Sequence, residues 1–397
     1  AEPELPPAVA VVNPNRLDET SPHRHMAAVG VAVLVAVAVN RALRQDGWYG
    51  SGSGPNLMRH LDLVALGTVC DVVPLIGVNR ALVTQGLKVM ARRGNAGLVA
   101  LADVAGVRER PEAYHLGYVM GPRVNAGGRI VQADLGTRLL ASDDPIEAAE
   151  IARILDGYNR DRQEIEAAVL LEAMEQMESR PDDGCPILIA AGEGWHPGVI
   201  GIVAGRLKER YNRPALAIAI ERGEAKGSGR SVPGIDLGTA IIAARQAGIL
   251  TKGGGHAMAA GFSLASDRLP EFRAFLAERF SVLDAGALMP VLDLDGALDV
   301  QAVTPTLVET LQQIGPFGSG NAEPRFAIIG ARVMRADVVG NGHVRCVLTG
   351  IRGGRLKAMA FRAADSELGH ALLNSAGATL HVAGTLRLDN WQGQNSC

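Results

Sequence analysis

Aromatic side chains are scarce: phenylalanine, tyrosine and tryptophan make up 4% of the 397 residues. Any core must therefore be built from aliphatic groups. Cysteine is scarcer still. The four present (Cys70, Cys185, Cys346 and Cys397) stand far apart without a Cys-x-x-Cys spacing. This excludes a thiolate zinc site or a disulfide framework and fits a reducing, cytoplasmic environment. A large excess of one charge is missing too. The formal net charge of -3 excludes a tail that holds polyanions by bulk charge, but not a local anion-binding groove. Lysine is almost absent, with 5 against 34 arginines, a bias toward the bidentate phosphate-binding fork. Genomic base composition produces the same bias. The longest apolar run, residues 27–39, holds 13 residues, short of the roughly 20 needed to span a bilayer. It lacks a convincing cleavage site and reads as a buried helix from about Met26 to Arg44.

What is present is an ordinary soluble composition, 47% hydrophobic and 20% charged, with 48 glycines and 20 prolines for tight turns. The length suggests two or three domains. Residues 8–12 (AVAVV) read as a short buried strand. A helical stripe of Ile165, Ala168, Val169, Ala173 and Met177 lies in an acid-rich segment over 145–180 that reads as a solvated connector. Over 184–282, the strand-like runs 186–191 and 214–220 flank a helix from about Val199 to Tyr211. A turn at Gly223–Gly229, a helix opened by Asp236, a glycine loop and a helix from Leu269 to Phe280 follow. This is the alternation of an α/β sheet covered by helices. Beyond 290 the pattern becomes short strands (326–333, 344–348, 355–361, 379–388) with glycine turns, a small β-barrel of OB type. A purely structural β-domain is the bland alternative.

Several constellations carry chemistry. Asp62 and Asp71 lie in an otherwise apolar segment, where an unpaired carboxylate is costly unless it caps, pairs or binds a cation. Asp71 is the preferred metal ligand, at an expected strand-to-helix transition. In 121–129 (GPRVNAGGR), Arg123 and Arg129 can grip phosphate with Asn125 beside them; a turn with surface arginines explains the same residues. In 194–206, backbone amides at a helix start can hold an anion near His196, a residue that is more often structural. The sharpest signals are 227–231 (GSGRS), with donors on Ser228, Arg230 and Ser231, and 252–262 (KGGGHAMAAGF). There Gly254 and Gly255 bare the backbone before His256, and glycine so placed is costly unless something needs the space. The His23/His25 pair and the Asp293/Asp295 pair read as solvated surface and as solvent-facing edge residues.

Taken together, VVNPN (11–15), DLVALGTVCDVVPL (62–75) with Asn79-Arg80, GPRVNAGGR (121–129), GWHPGVIGIVAGRL (194–207), GSGRS (227–231), GGGHAMAAGF (253–262) and GPFGSGNAEPRF (315–326) resemble the DHH/DHHA1 phosphoesterase family over nearly the whole chain. The resemblance implies an α/β protein with a partial DHH α/β domain at 1–156 and a connecting helix at 157–183. A DHHA1 α/β domain at 184–282 and an incomplete OB-type β-barrel domain at 290–397 follow. It implies a single-stranded-DNA-specific 5′→3′ exonuclease of DNA repair and recombination, hydrolysing phosphodiesters with two divalent cations, Mn2+ or Mg2+. Asp71 and His256 become the catalytic residues, with Asp71 the metal ligand. Arg123, Asn125, Arg129, Ser228, Arg230, Ser231, Gly254 and Gly255 become the substrate contacts. Single-stranded DNA and a single-strand-binding protein are the implied partners of a monomer that touches no membrane.

The family's Asp-x-Asp and Asp-His-His motifs are missing, and both are expected upstream of VVNPN, in a chain that looks cut at both ends. One aspartate cannot hold two cations that take about six ligands each, so this polypeptide is expected to be inert alone. Cys70 replaces a small residue and is expected to alter packing rather than chemistry. Two other readings remain: a DHH-family phosphoesterase acting on short oligonucleotides or cyclic dinucleotides, and a non-catalytic nucleic-acid-binding relative. The β-domain, with 315–326 as the barrel's entrance, argues against the first.

Overall fold

The computed structural model describes residues 5–16, 18–130, 133–179, 186–281 and 289–388. The expected end of the connecting helix (180–183), the last part of the barrel segment (389–397), Cys185 and Cys397 lie outside the described residues. The chain divides into two compact units. One comprises Ala1–Gly94, Val107–Gly121 and Leu292–Cys397, the other Asn95–Gly106 and Pro122–Val291. The stretch expected as a single domain over 1–156 thus contributes to both.

In the first unit, α1 (Ala28–Gln45), α2 (Leu61–Cys70) and α3 (Gly77–Met90) precede a π-helical turn at His115–Met120. Helices α2 and α3 cross closely because Gly86 has no side chain: a Cβ there would stand 2.1 Å from the Leu61 carbonyl oxygen. The expected strand at 8–12 is absent. That segment is irregular and mostly exposed, since no described strand offers it a ladder. The expectation of a buried helix at α1 is also overturned, for only Gly30 of its 18 residues is buried. Contact with α2 at Val29 and Gly67 covers one narrow face and leaves Leu34, Val35, Val37 and Val39 exposed. Continuing through Arg41 to Gln45, α1 is long and apolar enough to cross a membrane by length and composition, unlike the shorter run read from the sequence.

The same unit holds the β-rich segment. Strands β7 (Arg325–Val339), β8 (His343–Gly350) and β9 (Gly353–Ala360) form an antiparallel meander. Strand β10 (Thr379–Thr385) adds to β7 from the other side, and the short β6 (Gly296–Leu298) runs parallel to β7. Register shifts at Val333/Arg335 in the β7–β8 pair and at Leu348/Gly350 in the β8–β9 pair bend the sheet, as bulges do in curled sheets. Inward Val333, Val344, Cys346, Leu348 and Leu356 fill its concave side. Asp295 accepts from the Arg325 amide at 2.8 Å, an edge role matching the sequence reading. The segment expected as the barrel entrance packs instead on residues 74–80. The Leu75 amide donates to the Ser319 carbonyl at 2.7 Å, and Arg80 donates to the carbonyls of Ile314 and Gly315. Gly318 and Gly320 are glycine because side chains there would run into Leu75 and Pro74.

In the second unit, α4 (Ala96–Val104), α5 (Gly121–Ile130) and α6 (Leu135–Ala141) precede the 34-residue α7 (Pro145–Glu178). Residue Gly121 of α5 belongs to the first unit. A five-stranded sheet follows in the order β1-β2-β3-β5-β4: β1 (Leu188–Glu193), β2 (Ala215–Glu221), β3 (Glu224–Arg230), β4 (Lys252–His256) and β5 (Ala259–Ala265). β1 and β2 are parallel, joined through α8 (Ile200–Tyr211), and the other pairs are antiparallel. β2 alternates by size. Leu216 and Ile218 face a core with α9 (Leu237–Gln246) and α10 (Leu269–Phe280). Ala215, Ala217 and Ala219 face α7 and α8, whose close approach needs small residues. The expected turn at Gly223–Gly229 is confined to Arg222-Gly223, both at positive φ, a type the hairpin twist favours. The glycines beyond it lie in β3, where Phe262 and Leu237 occupy the space above Gly227 and Gly229. Likewise, the glycine loop at 252–256 is strand β4.

Asp62 resolves one of the buried-carboxylate questions. It is 2% exposed in the first turn of α2, and one oxygen accepts the Leu63 amide at 2.8 Å. Burial raises its pKa above the ordinary carboxylate value, opposed chiefly by that hydrogen bond. The folded state therefore holds this proton more tightly than the unfolded chain, and the group costs stability as pH rises through the window between the two. Asp62→Asn is expected to stabilise the protein at pH 8 by denaturant unfolding, the gain vanishing near pH 3. A loss at pH 8 would mean that the charge is favoured by the helix N-terminus instead.

Candidate nucleic-acid interface

Asp71, in the first unit, caps the C-terminal end of α2 and is exposed. The expected strand-to-helix transition is a helix-to-loop transition, because the apolar residues 61–70 bury a helix rather than a strand. Among the described residues, no group of three or more His, Cys, Asp or Glu is placed to hold a metal ion. The neighbouring Cys70 thiol donates to the Leu116 carbonyl at 3.5 Å. Burial, with the Asp71 charge beside it, pushes its pKa up to about 11. It is a packing group, as its sequence context suggests.

The segment expected as a phosphate-gripping loop, 121–129, is helical. Pro122 sits in the first turn of α5, where its missing N–H costs nothing, and Gly136 lets the Val124 carbonyl close in. The helix separates the roles of its polar residues. Arg123 donates from Nε to Asp156 at 2.9 Å, so its guanidinium is engaged in the unit's interior. Asn125 is exposed. Arg129 is exposed as well, and its Nη1 donates to the Gly198 carbonyl at 2.8 Å.

That contact carries Arg129 to the start of α8. There the Gly198 amide donates to His196 Nδ1 at 3.0 Å, which makes His196 a loop-shaping residue. One turn on, Gly201 lies against β3: a Cβ there would stand 3.1 Å from both Arg230 Nη2 and Ser228 Oγ. Arg230 in turn donates to Ser228 Oγ at 3.1 Å and to the Gly229 carbonyl at 2.9 Å. Arg129, Ser228 and Arg230, read from two distant motifs, are thus brought to one helix start. Burial, and then the charge of Arg129, lowers the Arg230 pKa from its ordinary value. Two guanidiniums held within each other's field beside a helix start make a positively charged locality that an anion would relieve.

The other expected contacts part company. Ser231 is 1% exposed; its hydroxyl donates to the Ile235 carbonyl at 2.7 Å and its amide to the Met258 carbonyl. This placement corrects the expected substrate contact, because the hydroxyl is spent on holding the loop before α9. The three glycines of β4 differ as well. A Cβ at Gly253 would meet Ile241 and one at Gly255 would stand 2.3 Å from the Ala259 carbonyl, whereas Gly254 faces open space. Packing explains the first and last. Only Gly254 keeps an unexplained bare backbone, on an edge strand. His256 is exposed at the β4–β5 turn, and its Nδ1 accepts the Met258 amide at 3.3 Å.

The sequence reading missed the buried face of α7. It is no solvated connector: Asp156, Asn159 and Arg162 are buried at 5%, 2% and 8% exposure. Arg162 donates to Asn159 Oδ1 at 3.0 Å and to Glu166 Oε2 at 2.9 Å. The other Glu166 oxygen lies 3.7 Å from Arg206 of α8. Of the expected apolar stripe, Val169 and Ala173 are buried, while Ala168 is exposed. The signal was in the spacing. Positions 156, 159, 162 and 166 continue the same helix face as Leu155, Val169 and Ala173.

Comparison with known proteins places these features. Residues 184–282 match the DHHA1 domain and residues 294–397 the RecJ OB domain. The single-stranded-DNA-specific exonuclease RecJ of Dickeya dadantii is 41% identical over 366 residues, 89% of this chain and 63% of that relative. The Bacillus subtilis exonuclease of the same name is 33% identical over 99% of this chain and 48% of its own length. The crystal structure of RecJ in complex with Mg2+ from Thermus thermophilus aligns with a TM-score of 0.76 at 30% identity, over 92% of this chain and 54% of that one. The chain thus spans less than two thirds of these relatives. It carries a match to the DHHA1 domain followed by a match to the RecJ OB domain, and over about nine tenths of its length it is similar to RecJ exonucleases.

Proposed function

We propose that this chain supplies the strand-holding part of a metal-dependent, single-stranded-DNA-specific 5′→3′ exonuclease, with Mn2+ or Mg2+ as cofactor. The observation that carries the reading is the meeting of Arg129, Ser228 and Arg230 at the start of α8. Guanidinium and hydroxyl donors beside helix-start amides suit phosphodiester oxygens, and phosphate contacts position a nucleic-acid strand without reading its sequence. Gly254 offers a second backbone approach. The curled sheet of β6–β10 is the kind of surface on which OB folds hold single strands, which a phosphoesterase for cyclic dinucleotides does not need.

A two-cation centre does not fit the described residues, since Asp71 stands without a cluster of further ligands. What the chain does supply is the grip on the backbone: binding, orientation and charge neutralisation. The reading also makes the working protein a cytoplasmic monomer, with a single-strand-binding protein as neighbour on the same substrate.

The grip is tested by titrating the chain with a 5′-phosphorylated single-stranded oligonucleotide across a range of salt. Arg129→Gln and Arg230→Gln are each expected to weaken binding and to flatten the slope of log affinity against log salt by about 0.7. Unchanged slopes would make both arginines structural. Arg123→Gln should act differently. It leaves the buried Asp156 with only the exposed Arg160 as its partner and should cost about 1–3 kcal/mol of stability, read by denaturant unfolding.

The glycine assignment gives an independent expectation. Gly254→Ala should leave the unfolding midpoint in place and weaken oligonucleotide binding, while Gly255→Ala should cost about 1–3 kcal/mol through overpacking. With manganese added, the chain is expected to bind the oligonucleotide without shortening it. Nucleotide release would show that metal ligands exist outside the described residues.

A further inference from the structure

The meander of β7, β8 and β9 carries charge of one sign. Residues 325–361 hold six arginines and one lysine against a single carboxylate, Asp337, a charge of +6 in a chain whose net charge is -3. Strand geometry sorts these residues by face, because successive side chains point to opposite sides of a sheet. Val333, Val344, Cys346, Leu348 and Leu356 fill the concave side, so their alternate neighbours line the convex side. There Val347 stands in register with Arg335 on one strand and Lys357 on the other, and Arg345 with Asp337 and Met359. Arg332, Arg335, Arg345, Arg355 and Lys357 are all exposed on this face. Same-face neighbours on adjacent strands stand about 5–8 Å apart, a spacing at which like charges repel. Asp337 offsets part of this, accepting from Arg335 at 2.8 Å and from Arg345 at 3.2 Å. One carboxylate shared by two guanidiniums leaves an excess of positive charge that a polyanion would relieve.

At the end of β9 the same face carries an aromatic ring. Phe361 is 74% exposed, and His343 of β8 stands nearly perpendicular to it, with 5.4 Å between centroids. The histidine is itself fixed, since its Nδ1 accepts the Arg362 amide at 2.9 Å. Arg362 has a φ of 52°, a left-handed conformation uncommon for a residue with a side chain, so the turn after Phe361 is a constrained one. A lone exposed phenylalanine needs no explanation. One that is braced by a second ring, stays largely exposed and ends a field of guanidiniums presents what a nucleobase stacks on. The cations alone would serve an acidic protein segment equally; the braced ring favours a nucleic acid.

We propose that the convex face of β7–β9 binds single-stranded DNA, with Arg335, Arg345 and Lys357 on phosphates and Phe361 stacked on a base. This rests on the strand-holding reading above. It adds to that reading a second contact surface, the face of the sheet that makes it, and a base-stacking residue.

The test titrates the 397-residue chain with a single-stranded oligonucleotide and with an oligomer of equal length whose sugars carry no bases, each across a range of salt. Arg345→Gln combined with Lys357→Gln is expected to flatten the slope of log affinity against log salt by about 1.4 for both oligomers, two phosphate contacts. Phe361→Ala is expected to weaken the oligonucleotide about tenfold while leaving the slope and the abasic oligomer unchanged. Phe361→Tyr keeps the ring and should keep the parent affinity. All these side chains are exposed, so the variants are expected to keep the parent's unfolding midpoint. An unchanged slope in the double variant overturns the proposal. So does a Phe361→Ala variant that binds the oligonucleotide like the parent or loses both oligomers equally. A glutamate decamer that competes as well as the unlabelled oligonucleotide also overturns it, and makes the face a dock for acidic protein. Arg129→Gln and Arg230→Gln run alongside. If they flatten the slope while the variants of the sheet do not, only this proposal falls; if the reverse holds, the phosphate site at α8 falls and this surface stands.

Discussion

The buried polar face of α7 is the constraint on which the second unit turns. Asp156 anchors Arg123 of α5, and Arg162 with Glu166 faces α8. Each charge is satisfied by a partner from its own helix or from the one beside it. Such a network is costly if left half made, because removal of one member strands another in a poorly solvated interior. Helices α5 and α8 are therefore held to α7 by geometry as well as by apolar area, and the arginines they carry inherit that placement.

Around this scaffold, aliphatic packing supplies cohesion without direction. The alternation of large and small residues along β2 sends Leu216 and Ile218 to one core and the alanines to the other. The helices on the alanine side can then come close enough for α8 to begin beside Arg230 and Ser228. Two of the few aromatic rings, Phe262 and Phe272, meet at 5.0 Å between centroids, and Phe262 covers the glycine gap at 227. Glycine here serves packing more often than ligand approach, which leaves Gly254 as the exception in its motif.

Much of the architecture was legible in the residues. The strand-helix-strand alternation over 184–282 and the β-rich character beyond 290 followed from hydrophobic period and turn chemistry, and the helix from Leu269 to Phe280 has the bounds that its pattern set. The errors share one cause. Residues 121–129, 224–230 and 252–256 look like loops because glycine has low propensity for regular structure. Each is regular, and a neighbour, such as Cys70 at Gly121, Phe262 at Gly227 or Ala260 at Gly255, fills the space that a side chain would need. Propensity cannot report that, since it contains no neighbours. The short strand at 8–12 and the burial of α1 failed for the converse reason: an apolar run specifies a surface to cover, not what covers it.

Residue order alone supplied the candidate chemistry: arginines, hydroxyls and glycines in long ordered motifs, cysteines without a Cys-x-x-Cys spacing, and a resemblance to the DHH/DHHA1 phosphoesterase family. Packing in three dimensions selected which of these groups can act. Arg123 and Arg129 stand six positions apart in one motif, yet the first is committed to Asp156 and the second reaches Gly198. Ser228 and Ser231 stand three apart, yet only the first shares a site with Arg230, while the second is sealed against the Ile235 carbonyl. Residue type sets what a side chain can bind. Burial and partners, which depend on elements distant in the chain, set whether it is free to bind it.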